Sequence, residues 1–143
     1  MNFVLDASVT LSWLLRNGPA RDEAYADSVL DALRAADTVA DVPTIWGLEI
    51  ANVIARCEAK SQITEAQSES FIALLEGISI DADAATFEHA LADTLQIARR
   101  YRLSSYDASY LELALRDGSP IATLDEDLRR AATKAGVRIF KPT

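Results

Sequence analysis

Short apolar runs alternate with longer segments of helical periodicity along most of this chain. The runs are typical of buried strands, and they lie at residues 3–5, 39–42, 78–80, 121–123 and 137–140. The longer segments repeat apolar residues at a spacing of three or four, which predicts amphipathic helices. These helices are predicted at residues 7–15, 21–35, 45–60, 64–76, 84–100, 104–116 and 125–134. Buried strands that alternate with helices predict an α/β fold, in which helices cover both faces of a parallel sheet.

Capping and breaking residues fall at the ends of these predicted helices. Thr64, and either Ser104 or Ser105, precede helical segments as N-caps, while Gly77 and Gly118 follow them as stops. The chain has 143 residues, which is an ordinary length for one domain. Because its sequence contains neither a linker nor an internal repeat, we predict a single domain over residues 1–143.

Composition narrows the class of protein. Half of the residues are hydrophobic and glycine and proline are few, as in a compact folded protein. The lone cysteine, Cys57, cannot form an internal disulfide, which fits a reducing cytosol. The first apolar run follows no basic leader and is interrupted at Asp6, so it is too short for a signal peptide or a membrane span. We therefore expect a cytoplasmic protein without a membrane anchor.

The net charge is −8, from 22 acidic and 14 basic side chains. This acidic balance argues against a general phosphate-binding surface, although acids gathered around a metal ion would contribute to it. The basic residues form two clusters, which are Arg99, Arg100 and Arg102, and Arg129, Arg130 and Lys134. Either cluster can contact a phosphate backbone, or it can be a solvated helix end that complements the helix dipole.

Three aspartates lie where predicted strands meet helices or where a helix begins. Asp6 directly follows the first predicted strand, and Asp125 follows the fourth after one leucine. In a parallel sheet these two positions share the edge at which such folds bind ligands. Asp107 falls in the first turn of a predicted helix. Asp127 competes with Asp125 for any role at this edge.

Each aspartate also has a purely structural interpretation. Asp6 is placed to cap the helix that follows it, and Asp107 would be favoured by its helix dipole. The segment from Thr123 to Glu126 fits a capping box, with Thr123 as the cap and Glu126 as its partner. Taken singly, the aspartates leave both interpretations open.

Glu49 is harder to explain as a surface residue. Its neighbours at helical spacing are mostly apolar, and they are Ile45, Trp46, Asn52 and Val53. The carboxylate is therefore expected to point toward the sheet, where Asn52 can hydrogen-bond to it. Buried carboxylates are costly unless a cation or a donor compensates them, and Mg²⁺ and Mn²⁺ prefer carboxylate oxygen. These residues predict a metal-dependent phosphodiesterase.

The sequence lacks the motifs of other common catalytic classes. It has no glycine-rich phosphate loop of the GxGxxG or GxxxxGK[ST] type, no CxxC and no HExxH. Its single histidine, His89, lies in a predicted helix as an ordinary surface residue, so a histidine-based triad has no base. Asp6-Ala7-Ser8 also lacks the second aspartate of the DxD phosphatase pattern.

Short segments around the acidic residues occur in a characteristic order along nearly the whole chain. They are VLDAS at 4–8, VP at 42–43, EIAN at 49–52, YDASY at 106–110, LA at 113–114 and ATLD at 122–125. Together they resemble the PIN-domain nucleases, and within them the VapC-type toxins of prokaryotic toxin–antitoxin pairs. The resemblance implies a three-layer α/β/α fold around a parallel sheet, one or two Mg²⁺ or Mn²⁺ ions, and endonucleolytic cleavage of RNA.

The resemblance also assigns site residues. The acidic quartet of the family is matched by Asp6, Glu49, Asp107 and Asp125. Two hydroxyl positions and one asparagine position near that quartet are matched by Ser8, Thr123 and Asn52. On this hypothesis Asp6 and Asp107 are the principal metal ligands, and Glu49 and Asp125 complete the shell directly or through water. Hydrolysis by an activated water would leave 5′-phosphate and 3′-hydroxyl ends.

Partners follow from the same resemblance. It implies a small antitoxin protein that blocks the site, often with an arginine, and the acidic surface suits a basic partner segment. The apolar segments 11–15 and 45–54 are candidates for a homodimer interface or an antitoxin groove, with core packing as the alternative. Two other functions stay open, namely a non-catalytic RNA-binding or regulatory module and a metal-dependent phosphatase.

Overall fold

The computed structural model describes residues 1–142, which form a central four-stranded sheet surrounded by helices. The strands are Asn2–Leu5 (β1), Val39–Val42 (β2), Ile80–Ala82 (β3) and Ile121–Ala122 (β4). The helices are Ala7–Leu15 (α1), Ala20–Leu33 (α2), Ile45–Ala59 (α3), Glu65–Glu76 (α4), Thr86–His89 (α5), Leu95–Tyr101 (α6), Ser105–Asp117 (α7) and Glu126–Lys134 (α8). Within residues 1–142, no helix combines the length and the apolarity that a membrane crossing requires.

All neighbouring strands run parallel, in the spatial order β3-β2-β1-β4. The chain therefore moves outward from β1 to β2 and β3, and then returns to place β4 on the other side of β1. This reversal of strand order lies between β1 and β4, and the carboxyl ends of such strands open a crevice. The topology thus places the main ligand-binding position beside the residues that follow β1 and β4.

The sheet separates two apolar layers. Phe3 and Leu5 pack with Val29 of α2 on one face, whereas Val4 packs with Leu111 of α7 on the other. This alternation follows from the two-residue period of a strand. All of these side chains are buried, and burial of each contributes about 1.5–3 kcal/mol. The predicted three-layer α/β/α architecture with a parallel sheet is confirmed.

Two predicted strands differ from those observed. The third strand covers residues 80–82 rather than 78–80, because β2 pairs with it from Ala40 opposite Ile80. The predicted strand at 137–140 was wrong, since this segment makes only an isolated bridge between Ile121 and Ile139. β4 is only two residues long, so it cannot form an extended ladder of hydrogen bonds with this segment. The segment is held instead by Phe140, whose ring stacks on Phe3 at 3.9 Å between centroids.

The predicted helix over residues 84–100 is confirmed, because the chain is helical without a break from residue 86 to residue 101. It is divided into α5, a π-helical segment Ala90–Thr94 and α6. His89 lies at the start of that segment, is half-buried, and its Nδ1 atom lies 3.0 Å from Asp93 Oδ2. It is therefore part of a polar cluster and not an ordinary surface residue. The other six helices begin and end within two residues of their predicted bounds.

Candidate active site

The sequence-predicted acids converge at the carboxyl ends of β1 and β4. Asp6 directly follows β1, and Asp125 precedes α8. Asp107 lies in the first turn of α7, and Glu49 lies one turn into α3. A cleft of about 610 Å³ is lined by all four of these residues together with Ser8 and Asn52. Segments that are far apart in sequence thus place four carboxylates on one concave surface.

Asp6 is held by a pair of hydroxyl groups. Its side chain is 4% exposed, and its Oδ2 atom accepts hydrogen bonds from Ser8 Oγ at 2.6 Å and Thr123 Oγ1 at 2.7 Å. Ser8 Oγ in turn accepts the Leu124 N–H, and Thr123 Oγ1 accepts the Asp125 N–H, both at 3.0 Å. Because each hydroxyl accepts a backbone N–H, its own proton is directed to Asp6. The loop between β4 and α8 therefore fixes this carboxylate.

These contacts correct two structural interpretations of the acids. Asp6 occupies the N-cap position of α1, but its side chain makes no capping hydrogen bond. The predicted capping box with Thr123 as the cap and Glu126 as its partner was also wrong. Asp125 itself caps α8, because its Oδ1 atom accepts the Leu128 N–H at 2.9 Å. Thr123 is thereby free to bind Asp6, and Asp125 keeps one carboxylate oxygen for the cleft.

Glu49 is positioned by Tyr110, a residue to which the sequence patterns assigned no role of its own. The Tyr110 hydroxyl donates to Glu49 Oε1 at 2.5 Å, and the tyrosine is fully buried. The predicted hydrogen bond from Asn52 was wrong, since Asn52 lines the cleft without bonding to Glu49. Tyr110 lies three residues after Asp107, on the same helix face, and this spacing was the available signal.

Burial and mutual repulsion disfavour ionisation of two aspartates. Burial raises the pKa of Asp6 to about 6, the charges of Glu49 and Asp125 add to this effect, and the hydroxyl donors oppose it. Burial likewise raises the pKa of Asp107 to about 6, with further increases from the charges of Asp6, Asp125 and Asp127. The carboxylates are therefore close enough to destabilise one another when they are ionised.

Glu49 shows the same effect in the same direction. Burial raises its pKa, the Tyr110 hydroxyl lowers it, and the charge of Asp107 raises it. A cluster of carboxylates that repel one another is stabilised by a cation. Carboxylate oxygens are hard donors of the kind that Mg²⁺ and Mn²⁺ prefer. The chemistry of the carboxylates in the cleft therefore suits a hard divalent cation.

A second group of potential metal ligands lies elsewhere, and it consists of His89, Asp93 and Glu112. One donor atom of each lies within 4.8 Å of the others. However, Arg116 donates to both oxygens of Glu112, each at 2.9 Å, and so already supplies a positive charge there. This group is accounted for by its own ion pairs. The cleft around Asp6 is the better candidate for a metal centre.

Comparisons with known proteins agree with this architecture. The chain is similar over 92% of its length to 87% of PAE2754 from Pyrobaculum aerophilum, with a TM-score of 0.63 and 21% identity. It is similar over 99% of its length to 98% of the FitAcB chain from Neisseria gonorrhoeae, with a TM-score of 0.60 and 22% identity. The TM-scores show a shared fold, and at these identities the similarity shows the fold alone. The sequence has no match among the curated proteins.

The family comparison covers almost the entire chain. Residues 3–134 match the family described as PIN domain, from the first core residue of β1 to the last residue of α8. All four acids of the cleft lie within this match. On the strength of this match, the chain belongs to the PIN domain family.

Proposed function

We propose that this PIN domain is a metal-dependent endoribonuclease of the VapC type, the toxin of a toxin–antitoxin pair. PIN domains are generally nucleases. The observation that carries the proposal is the convergence of four carboxylates in one cleft, with Asp6 fixed by two hydroxyls. A nuclease of this kind needs negatively charged ligands held rigidly beside a channel that a phosphodiester can enter. The whole chain, residues 1–143, acts as one cytoplasmic nuclease domain on this proposal.

The residues of the cleft have distinct proposed roles. Asp6 and Asp107 would hold one or two Mg²⁺ or Mn²⁺ ions, and Glu49 and Asp125 would be further ligands, directly or through water. When bound, such an ion lowers the pKa of a water molecule and neutralises charge that develops on the phosphate. Ser8 and Thr123 orient the Asp6 carboxylate. Tyr110 orients Glu49 through its hydroxyl.

Product chemistry follows from the residues that the cleft provides. The single histidine, His89, does not line it, so the cleft has no imidazole to deprotonate a ribose 2′-hydroxyl. Attack by water leaves a 5′-phosphate and a 3′-hydroxyl. Asn52 lines the cleft with an exposed amide and is proposed to contact the substrate. Because the pKa values of Asp6 and Asp107 are raised to about 6, protonation below pH 6 would weaken cation binding.

Partner binding is part of the same proposal. Leu48 is 74% exposed and lines the cleft, as does Leu11, so the mouth of the site offers apolar contacts. The net charge of −8 favours a basic partner, and an arginine inserted among the carboxylates would neutralise them. A small antitoxin with a basic segment fits these features. The apolar segments 11–15 and 45–54 are proposed to contact this antitoxin or a second copy of the chain.

The test is cleavage of total cellular RNA by the purified protein, in Mg²⁺, in Mn²⁺ and in EDTA. Asp107→Asn should abolish cleavage, whereas Asp37→Asn should not, because Asp37 is exposed and precedes β2 at the opposite edge of the sheet. Metal-dependent products with 5′-phosphate ends would support the proposal. Ends with 2′,3′-cyclic phosphate would refute this mechanism. RNA binding without turnover would indicate a regulatory module, and faster hydrolysis of p-nitrophenyl phosphate would indicate a phosphatase.

A further inference from the structure

Two basic clusters that are separate in sequence meet in the folded protein. The carboxyl-terminal end of α6 lies beside α8, and between them is a groove of about 480 Å³. Its lining contains four cationic side chains and one acidic one, which are Arg100, Arg102, Arg130, Lys134 and Asp127. We call this surface the basic groove. It is distinct from the acidic cleft, with which it shares no lining residue.

The basic groove retains an excess of positive charge. Arg130 is paired with Asp127. Within residues 1–142, however, no ion pair involves Arg100, Arg102 or Lys134. All three residues are exposed. On a chain with a net charge of −8, three uncompensated cations in one groove form a local site for an anion.

The backbone at Arg102 determines where this side chain leaves α6. Arg102 ends α6 in the left-handed conformation, with φ at 55° and ψ at 44°. Glycine and asparagine favour this position, and another residue there costs about 1 kcal/mol. Arg16 ends α1 in the same conformation, so the conformation alone does not indicate a function. At Arg102 the conformation places an arginine in the basic groove.

The basic groove lies beside the acidic cleft. Asp127 lines the basic groove, and Asp125, two residues earlier in the chain, lines the cleft. The same two elements also connect the surfaces, because Arg102 precedes Asp107 by one short loop and Asp125 caps α8. An extended polyanion bound in the basic groove can therefore reach the acids at the starts of α7 and α8.

We infer that the basic groove binds the phosphate backbone of single-stranded RNA next to the bond that is cleaved. This inference rests on the proposed function, and it identifies the basic groove as the surface that gives the protein its affinity for RNA. Without a bound cation the acidic cleft repels a phosphate backbone, and a neighbouring cationic surface offsets this repulsion. Arginine presents a planar fork that matches phosphate oxygens, and three of the four cations are arginines. Tyr101 also lines the groove and adds an aromatic ring next to this path.

The experiment measures binding of a fluorescein-labelled uridine 12-mer to the full chain by anisotropy. EDTA is present so that cleavage does not interfere. Arg100→Ala, Arg102→Asn and Lys134→Ala each remove one cation, and asparagine tolerates the left-handed backbone at 102. Arg99→Ala is the matched control, because Arg99 is an exposed neighbour that does not line the groove.

Loss of one phosphate contact reduces the slope of log K against log salt by about 0.7 for a single strand. If the variant and the parent bind equally at 1 M salt, this change in slope corresponds to about a fivefold lower affinity of the variant at 0.1 M salt. Each of the three groove variants should show both changes. The Arg99 control should stay within about twofold of the parent protein. A change in fold alone would lower the active fraction without altering the salt slope.

Several outcomes would overturn the inference. They are an equal loss for Arg99→Ala, no measurable RNA binding, or tighter binding of polyglutamate than of RNA, which would indicate an acidic protein partner. The result is also separable from the nuclease proposal. Groove-dependent binding by a protein that does not cleave RNA would keep this inference and refute the nuclease. Cleavage of RNA with a KM that does not change in the three groove variants would support the nuclease and refute this inference.

Discussion

Replacing Asp6 with asparagine should raise the stability of the metal-free protein and at the same time abolish cleavage. Both hydroxyl donors bind the same oxygen of the buried Asp6 carboxylate, Oδ2. The carbonyl oxygen of an asparagine can take that position and accept both hydrogen bonds. The substitution therefore keeps the contacts with Ser8 and Thr123 and removes the charge.

The size of the effect follows from the pKa of Asp6, which burial raises from 3.8 to about 6. Two pKa units correspond to about 3 kcal/mol of unfavourable free energy for the ionised carboxylate. The amide group also needs solvation, so the expected gain is about 1–3 kcal/mol, or about 3–10 °C in Tm for a domain of this size. The folded state binds the Asp6 proton more tightly than the unfolded state does. The contribution of Asp6 to the free energy of unfolding of the wild type therefore falls as pH rises from about 4 to 6.

Thermal unfolding in EDTA between pH 4 and pH 8 tests this reasoning. The stability difference between Asp6→Asn and wild type should be near zero at pH 4 and reach its full value above pH 7. Asp37→Asn, which removes an exposed carboxylate outside the cleft, is the control for the substitution itself. Added Mg²⁺ should stabilise the wild type but not Asp6→Asn. A variant that is less stable than wild type at pH 7.5, or a gain that persists at pH 4, would refute the reasoning.

Three further substitutions test other contacts. Tyr110→Phe removes the donor to Glu49 and should weaken metal affinity or turnover by about 10- to 100-fold, as metal titration would show. Arg102→Gly relieves the left-handed backbone and should raise the free energy of unfolding by about 1 kcal/mol, while RNA affinity falls. Arg116→Met leaves the buried carboxylate of Glu112 without its partner and should cost about 2–4 kcal/mol in urea unfolding. An unchanged urea midpoint would show that Glu112 has other compensation.

The parts of the fold that sequence predicted are those set by local pattern. The helices from α1 to α4 and the first two strands follow from periodicity and from caps such as Thr64, whose capping box is observed. The third strand is offset because its register depends on β2, which local pattern does not encode. The apolar run at 137–140 resembles a strand, yet it makes only one isolated bridge with the two-residue β4. The local pattern of apolar residues therefore could not predict the pairing and register of strands that are distant in sequence.

The same division applies to the candidate site. The positions of Asp6 and Asp125 after strands were enough to predict that they share one edge of the sheet. The hydrogen bonds around them were not predictable in this way. Local sequence favoured Thr123 as a helix cap, whereas the folded protein uses its hydroxyl to bind an aspartate across the sheet. Likewise, nothing in the sequence indicated that the clusters around Arg100 and Arg130 share one groove.

The link between Asp6 and Thr123 has a consequence for the time at which the cleft is completed. The two residues are 117 positions apart, and they meet only after β4 has docked beside β1. At a synthesis rate of about 5–20 residues per second, roughly 6–23 s separate the appearance of one from the other on a ribosome. A nascent chain therefore carries an unfinished cleft until Thr123 has been synthesised. The proposed cleavage of RNA would begin only after Thr123 has been synthesised and β4 has docked, which delays any damage to the messenger that encodes the chain.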